Sequence, residues 1–346
     1  MTLCPLPGEG GGAMLRRLGA VLRKNQATIV KLDIFGALRA RPGILRALKQ
    51  ELGRIDWPTT WIEGEDCAGG RIAGMHVLAI HGTAVEAIQL GQRRVGSVFS
   101  DGSARHCFLG DLCADDVSQP PAEQCWQTYL DLEAALRIAG MDMSNLVRTW
   151  LFLDNILAWY DQFNQVRSKF YRQRRVLDHL VPASTGVGAR NPAGAALMLG
   201  AWAVQSVNGS VAASEVASPR QCPAPTYGSC FSRAVELITP NHRHLLISGT
   251  ASIEPGGRSA HHGDIDKQVD LTMQVVQGIL ESRGMSFRDV SRMTAYFKRS
   301  PDASAFSAWC AKHGATSLPV VITRSDVCRD ELLFELEMDA VAALTK

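Results

Sequence analysis

The sequence predicts an α+β fold of two tandem units, each a mixed β-sheet with two helices on one face. Three observations support this prediction: similar segments recur in the same order in both halves, short apolar strands end at Gly-Thr turns, and amphipathic helices follow them. The length of 346 residues also suits two domains, at about 150 residues each.

The internal repeat consists of three matching pairs of segments. These are residues 76–84 with 244–251, 124–141 with 268–285, and 203–204 with 340–341. The offset between the halves falls from 167 residues at the Gly-Thr-Ala triplets to 144 at the helix and 137 at the last strand. We therefore expect the first half to carry an insertion of 23 residues, which would lie within residues 93–121.

The elements of the second unit are readable in order. A strand at 245–247 ends at Gly249-Thr250, and a strand at 293–297 and a final strand at 332–340 flank a second helix. The first helix has apolar residues at spacings of three and four, namely Val269, Met273, Val276 and Leu280. Gly284 then suits a left-handed helix C-terminus. One face of each sheet stays uncovered in this scheme, which indicates oligomerisation.

Composition limits the function classes and gives the domain boundaries. A net charge of +2 argues against non-specific nucleic-acid binding, and no apolar run approaches the ~20 residues of a membrane span. Nine scattered cysteines without a C-x-x-C pair predict reduced thiols and a cytoplasmic protein. We expect a flexible leader at 1–24, a degenerate domain at 25–205, a linker at 206–226 and a catalytic domain at 227–346.

The last strand carries acidic residues at alternate positions. Glu335, Glu337 and Asp339 share one face, which is either solvated or covered. The corresponding face of the first half holds Met198 and Trp202, so we expect it to be covered in both units. A carboxyl group buried there would have a raised pKa, as a general acid requires.

The motifs of the second half resemble the RidA/YjgF family. They are FSRAV (231–235), SGTA (248–251), Gly263-Asp264 with Gln268, and FELEMDAV (334–341). The two-unit build and five longer motifs resemble the chorismatases of that superfamily. Those motifs are RTWLFLDNI (148–156), YDQFNQVR (160–167), PASTGVGARNPAGAAL (182–197), YGSCFSRAV (227–235) and DVCRDELLFELEMDA (326–340). This resemblance implies the chorismate-mutase-like fold, chorismate as substrate, release of pyruvate, and no metal or organic cofactor.

The resemblance also implies roles for three residues of the second half. Glu335 aligns with the strand glutamate of the family and is the candidate acid that protonates the enolpyruvyl ether. A cysteine at Cys328 occurs in chorismatases that make hydroxybenzoate, although a small buried hydrophobe is the alternative interpretation. Ala251 lies at a second position that determines the product. The arginine that simpler family members carry 15 residues before the glutamate is Val320 here, which disfavours an imine deaminase.

Further candidates are suited to the two carboxylates of chorismate. Arg148 and Arg167 lie in motifs that resemble the chorismatases, with Arg190 and Arg329 in reserve, and the alternative for each is a solvated surface position. Tyr160 and Tyr227 are candidates to bind a carboxylate or the ring hydroxyl, or else to cap a core.

The functional hypothesis is therefore a chorismatase of aromatic biosynthesis that forms pyruvate and 3-hydroxybenzoate, with 4-hydroxybenzoate as a second product. The alternatives are hydrolysis to 3,4-dihydroxycyclohexa-1,5-diene carboxylate and a RidA-type imine deaminase or metabolite-binding protein. The resemblance also implies a homotrimer, with no nucleic-acid or membrane partner.

Overall fold

Three β-sheets, each covered by two helices, make up the computed structural model, which describes residues 1–344. The N-terminal unit, residues 1–80, forms a four-stranded sheet in the order β1-β4-β2-β3. Its elements are β1 (Thr2–Leu3), α1 (Gly11–Asn25), β2 (Thr28–Gly36), α2 (Arg41–Leu52), β3 (Thr59–Ile62) and β4 (Ile72–Ile80). This unit was not predicted from the sequence.

The middle unit, residues 86–206, forms a six-stranded sheet in the order β5-β6-β7-β10-β8-β9. Its elements are β5 (Glu86–Leu90), β6 (Arg93–Ser100), β7 (Ala104–Leu112), α3 (Pro121–Ile138), β8 (Leu146–Leu153), α4 (Ile156–Gln173), β9 (Ala183–Gly188) and β10 (Leu197–Ser206).

The C-terminal unit, residues 212–343, repeats this order as β11-β12-β13-β16-β14-β15. Its elements are β11 (Ala212–Val216), β12 (Ala234–Ile238), β13 (His242–Ala251), α5 (Ile265–Ser282), β14 (Val290–Phe297), α6 (Ala303–Lys312), β15 (Val320–Arg324) and β16 (Phe334–Ala343). The predicted fold class, two tandem α+β units with two helices on one face of each sheet, is confirmed.

Helix α5 forms where the apolar spacing predicts it. The Asp264 side chain accepts a hydrogen bond from the Lys267 backbone N–H at 3.1 Å and caps the first turn. Val269, Met273 and Val276 are fully buried against the sheet. The helix ends before Gly284, whose φ of +66° is the left-handed conformation that glycine tolerates.

All three units share one topology. In each, two antiparallel strand pairs are followed by a parallel pair, as in β13-β16-β14-β15, β7-β10-β8-β9 and β1-β4-β2-β3. The N-terminal unit lacks only the two leading strands of the others. The chain therefore holds a third related unit, which precedes the two predicted ones.

The inner faces of the three sheets cover one another in a common core. Phe35 of β2, Phe152 of β8 and Tyr296 of β14 meet there, with ring centroids 6.3 Å apart in the Phe35–Phe152 and Phe35–Tyr296 pairs. Each has the same register in its sheet, opposite Gly74, Met198 and Glu335. The predicted uncovered face is therefore buried within a single chain.

The structure corrects the predicted repeat at its first segment. Strand β13 corresponds to β7, because both have a bulge at the same place, after Ile247 and after Leu109. Residues 76–80 instead end β4 of the N-terminal unit, and residues 81–84 follow that strand. The predicted 23-residue insertion at 93–121 is therefore wrong, since that range holds β6 and β7.

The expected domain boundaries also differ from the observed elements. Helix α1 occupies most of the predicted leader at 1–24, because Met14, Leu15 and Leu18 pack against the first sheet. Strand β11 lies within the predicted linker at 206–226 and pairs with β12. Residues 345 and 346 of the predicted catalytic domain lie outside the described residues. None of the described helices combines the length and apolar character needed to cross a membrane.

Candidate active site

A cavity of about 180 Å³ lies between the middle and C-terminal units. The middle unit contributes side chains from α4 and β9, and the C-terminal unit contributes β13, β16 and the segments before them. The cavity contains six of the seven predicted site residues, which are Tyr160, Arg167, Tyr227, Ala251, Cys328 and Glu335. The exception is Arg148.

Glu335 has the environment of a protonated acid. It lies on β16 and is 4% exposed, with its carboxyl group directly over the Cα of Gly249, where a methyl group would overlap it. Burial raises the pKa of Glu335 to about 8, the nearby charge of Glu337 adds to the increase, and Arg233 and Arg148 oppose it. Glu335 therefore carries its proton at neutral pH.

Glu337, two residues further along the same strand face, is ionised. Burial alone would raise the pKa of Glu337, but Arg292 and Arg148 lower it to about 2. Arg148 Nη2 donates to Glu337 Oε2 at 2.5 Å, Arg292 donates to Oε1, and Thr294 Oγ1 donates to Oε1 at 3.1 Å. Two neighbouring carboxyl groups are thus held in opposite protonation states.

Arg148 does not line the cavity, contrary to its predicted role at a substrate carboxylate. Its side chain is fully buried, and besides Glu337 it donates to the Ile247 carbonyl at 3.1 Å and to Thr185 Oγ1 at 2.8 Å. The guanidinium group therefore has its hydrogen-bond partners in the common core, where it links the middle unit to the C-terminal unit.

Three other arginines do line the cavity. Arg167 of α4 is 2% exposed and donates to Asn164 Oδ1 at 2.7 Å. Arg233 is 3% exposed, and its Nε and Nη2 donate to the Cys222 carbonyl at 3.0 and 2.9 Å. Arg329 is held by the Gly257 carbonyl at 2.9 Å. Each has further N–H groups available for an anion.

The ring of Tyr227 contacts two of these cations. The guanidinium carbons of Arg233 and Arg329 are each 5.3 Å from the centroid of its ring. Cation–π contacts of this kind fix the direction of the guanidinium groups as well as stabilising them. The hydroxyl of Tyr227 is neutral, because burial raises its pKa.

Cys328 and Tyr160 provide neutral groups beside the acid. Burial raises the pKa of the Cys328 thiol to about 12, and the charge of Glu335 when ionised adds to this. Burial likewise raises the pKa of Tyr160. Cys328 is therefore a thiol that can hold or donate a proton, and not the thiolate that a nucleophile requires.

Ala251 lies next to Glu335 on the neighbouring strand of the sheet. It is the register partner of Glu335 on β13 and is 4% exposed, and Gln221 Nε2 donates to its carbonyl at 3.0 Å. Its methyl group leaves room beside the carboxyl group of Glu335.

Sequence reasoning missed Arg233 and Gly249 as site residues. Both lie inside motifs that carry the family resemblance, FSRAV and SGTA, so their position in those motifs was a usable signal. Arg329, named as a reserve, lines the cavity, whereas the other reserve, Arg190, is paired with Glu63. The site combines one buried proton donor, Glu335, with three cations and the neutral donors Tyr160, Tyr227 and Cys328, which suits a small anion.

Curated relatives and solved structures agree with this architecture. The chain is 27% identical over 308 residues to a chorismatase of Streptomyces hygroscopicus, covering 83% of this chain and 88% of that protein. It is 26% identical over 223 residues to a 3-hydroxybenzoate synthase of the same organism, covering 56% of this chain and 63% of that one. A chorismatase crystal structure superposes with a TM-score of 0.67 at 20% identity, covering 90% of this chain and 93% of that chain.

A shorter match supports the assignment to the superfamily. The chain is 30% identical over 100 residues to a RutC family protein of Pyrococcus horikoshii, which covers 28% of this chain and 77% of that protein. No family model matches the chain. This chain therefore belongs to the RutC family, within the RidA/YjgF-like superfamily, and over most of its length it is similar to a chorismatase.

Proposed function

We propose that this protein is a chorismatase that converts chorismate to pyruvate and 3-hydroxybenzoate. The observation that carries the proposal is a buried Glu335, whose pKa burial raises to about 8, in a cavity with three arginines. The similarity to a chorismatase and to a 3-hydroxybenzoate synthase supports it, since both relatives carry those names.

Glu335 is the proposed general acid. Its proton passes to the terminal methylene carbon of the enolpyruvyl group, and the resulting oxocarbenium ion is stabilised by the carboxylate that remains. The C–O bond to the ring then breaks and releases pyruvate. Because the pKa of Glu335 is about 8, the group is protonated before the step and is a strong enough acid to give up the proton.

The arginines are the proposed carboxylate-binding groups. Chorismate carries two carboxylates, and Arg167 of the middle unit and Arg233 and Arg329 of the C-terminal unit all line the cavity. Tyr227 holds two of them in place through its ring. Binding of the dianion therefore needs little rearrangement of the cavity walls.

Cys328 and Ala251 are the proposed determinants of the product. The ring hydroxyl competes with water: its oxygen attacks the ring carbon as the C–O bond to pyruvate breaks, and its proton passes to the Glu335 carboxylate. The resulting epoxide takes up a proton on oxygen, opens and loses a ring C–H proton, which gives hydroxybenzoate without consuming water. Water attack gives the dihydroxycyclohexadiene instead. The neutral Cys328 thiol lies beside Glu335 and favours opening of the epoxide by holding a proton there. We propose 3-hydroxybenzoate as the main product and 4-hydroxybenzoate as the minor one.

The assembly follows from the three related units. The family resemblance implied a homotrimer, and the expectation of oligomerisation depended on an uncovered sheet face, but that face is covered within the chain. We therefore propose a monomer whose three units take the place of three subunits, to be checked by light scattering. The nine free cysteines support a cytoplasmic location.

Chromatography of the products formed from chorismate alone tests the proposed function. Pyruvate in an amount equal to the sum of 3-hydroxybenzoate, the main product, and 4-hydroxybenzoate is the expected result, and the diene would identify the hydrolytic alternative. Absence of pyruvate would overturn the proposal in favour of a metabolite-binding protein. Turnover in D₂O adds a check on the acid step, because the methyl group of pyruvate must then gain one deuterium. Trapping the product as lactate prevents later exchange.

A further inference from the structure

Thr185 of β9 joins the middle unit to the bulge of β13 on which the candidate acid lies. Its side-chain oxygen Oγ1 accepts a hydrogen bond from the backbone N–H of Gly249 at 3.0 Å and another from Arg148 Nη2 at 2.8 Å. These two bonds use both lone pairs of the hydroxyl oxygen. Thr185 is 1% exposed and is not among the residues that line the Glu335 cavity. Its hydroxyl group therefore bonds to both units without contacting a substrate.

The Gly249 backbone determines where the carboxyl group of Glu335 can lie. The bulge takes Gly249 out of the ladder between β13 and β16, and its N–H has the Thr185 oxygen as hydrogen-bond partner. A methyl group on Gly249 would overlap Glu335 Oε1 and would lie 3.2 Å from Thr185 Cγ2. The acid and the threonine thus pack against the same point of the bulge, so a shift of the bulge would displace the carboxyl group.

The interface between the N-terminal and middle units repeats this hydrogen bond. Thr60 on β3 has the register of Thr185 on β9, since each pairs with the residue that comes two positions before an aromatic ring of the common core. Thr60 Oγ1 accepts from the backbone N–H of Asp111, the bulge residue of β7, at 3.2 Å. This interface has Met198 in the place of Glu335. The same bond from a threonine to a bulge therefore occurs once with the acid and once without it.

The C-terminal unit shows that valine is accommodated at the same position. Val321 of β15 pairs with Thr294, two positions before Tyr296, and so has the register of Thr185. It is fully buried in the common core and lies against Gly74 of β4. The units can therefore pack with valine at this position, and the hydroxyl group of Thr185 is not required for the fold.

We propose that Thr185 is a positioning residue for Glu335, whose carboxyl group it places in the cavity by holding the Gly249 bulge. The middle unit thereby contributes to the placement of an acid that belongs to the C-terminal unit. This inference rests on the proposed function, in which Glu335 donates the proton.

Thr185→Val tests the inference, because it removes the hydroxyl group with little change in side-chain volume. The Gly249 N–H then loses its acceptor and the bulge must shift to find another. We expect kcat for pyruvate release to fall about tenfold, and KM for chorismate to stay within about twofold of the wild type, because the three arginines are unchanged. Thr185→Ser keeps the hydroxyl group and should recover most of the wild-type kcat.

Thr60→Val is the matched control, since it removes the equivalent bond at the interface that lacks the acid. It should lower the melting temperature by about as much as Thr185→Val does and leave kcat and KM unchanged. An equal loss of kcat in the two valine variants would reduce Thr185 to a structural residue and overturn the inference. Wild-type kcat in folded Thr185→Val, or a rise in KM alone, would overturn it as well.

Carboxyl ¹³C NMR of protein labelled at glutamate tests the placement without turnover. The Glu335 resonance, assigned by its absence in Glu335→Gln, should move in Thr185→Val and return to its wild-type position in Thr185→Ser, at a pH at which the group is protonated. An unmoved resonance in Thr185→Val would overturn the inference whether or not the wild type cleaves chorismate. A wild-type protein that releases no pyruvate would overturn the proposed function, while the resonance would still decide whether Thr185 places the carboxyl group.

Discussion

The same position in the three units is occupied by three different residues, and only one of them has a side chain that can transfer a proton. Glu335 of the C-terminal unit corresponds to Met198 of the middle unit and to Gly74 of the N-terminal unit, each opposite an aromatic residue of the common core. Met198 is 1% exposed and packs in that core, and at Gly74 a side chain would meet the Leu3 carbonyl at 2.9 Å. The three units thus share a fold, but only the C-terminal unit has a candidate acid at this position.

A second difference, on the neighbouring strand, explains why the acid has space. The bulge in β13 places Gly249 under the Glu335 carboxyl group, whereas the matching bulge in β7 places Asp111 at the equivalent position. Asp111 adopts φ of +56°, a conformation that suits glycine better. The comparison teaches that the site requires a pair of substitutions, a glutamate on one strand and a glycine on the next.

Removing the acid should have the largest effect. Glu335→Gln has nearly the same shape as the protonated carboxyl group, so we expect an unchanged melting temperature and a kcat for pyruvate release about 10² to 10⁴ lower. A coupled lactate dehydrogenase assay measures the rate. Glu215→Gln, on the exposed edge strand β11, is the matched control and should keep wild-type activity. Wild-type turnover in Glu335→Gln would remove this residue from the chemistry.

Filling the gap under the acid should have the next largest effect. The methyl group of Gly249→Ala would overlap the Glu335 carboxyl group and displace it, which should lower kcat about 100-fold. Gly43→Ala, in α2 with nothing within 4 Å of the added methyl group, controls for the substitution itself. If Gly249→Ala lowers kcat no more than Gly43→Ala does, the assigned placement of the carboxyl group is wrong.

Arg233 belongs to the C-terminal unit, and its effect should be on binding. Lysine at this position cannot keep both bonds to the Cys222 carbonyl and the stacking on Tyr227, so Arg233→Lys should raise KM for chorismate roughly tenfold. Arg258→Lys, an exposed arginine near Glu254, should leave KM unchanged. Initial rates over a range of chorismate concentrations separate KM from kcat, and a change in kcat alone would contradict a binding role.

The C-terminal unit could be predicted from sequence far better than the N-terminal one. Its helix spacing, its strand alternation and the apolar face of β10 sufficed to place Glu335 on a buried face. The N-terminal unit was not recognised from the sequence because α1 follows a glycine-rich stretch and has no side-chain cap. The unit also lacks the two leading strands that make the repeat recognisable.

Arg148 shows where sequence reasoning about the site ends. An arginine on a strand faces either the cavity or the common core, and the groups that decide this lie far away in the chain. Its partners Ile247 and Glu337 are 99 and 189 residues distant. Only the packing of the middle unit on the C-terminal unit determines that Arg148 serves Glu337 and not a substrate.

The two neighbouring carboxyl groups of β16 predict a pH dependence. Glu335 must be protonated to act, so kcat should be constant at low pH and fall as pH rises through about 8, approaching tenfold per pH unit above that value. Glu337 is already ionised above about pH 2 and adds no step in this range. Rate profiles from pH 6 to 10 measure the effect, and a rate that rises across pH 8 would show that the ionised form is the active one.

Cys328 should have the smallest effect on rate and a clear one on product. Its thiol lies in the Glu335 cavity but is not the proposed proton donor to the methylene carbon, so Cys328→Ala should change total pyruvate release by less than about threefold. Without the thiol the epoxide route loses its proton-holding group and water competes better, so the ratio of products should shift from 3-hydroxybenzoate towards the diene. Chromatography of both products measures this ratio. Cys67→Ala, a partly exposed cysteine of the N-terminal unit, is the control. An unchanged ratio in Cys328→Ala would leave Ala251 as the determinant of the product, because its side chain also lies beside Glu335.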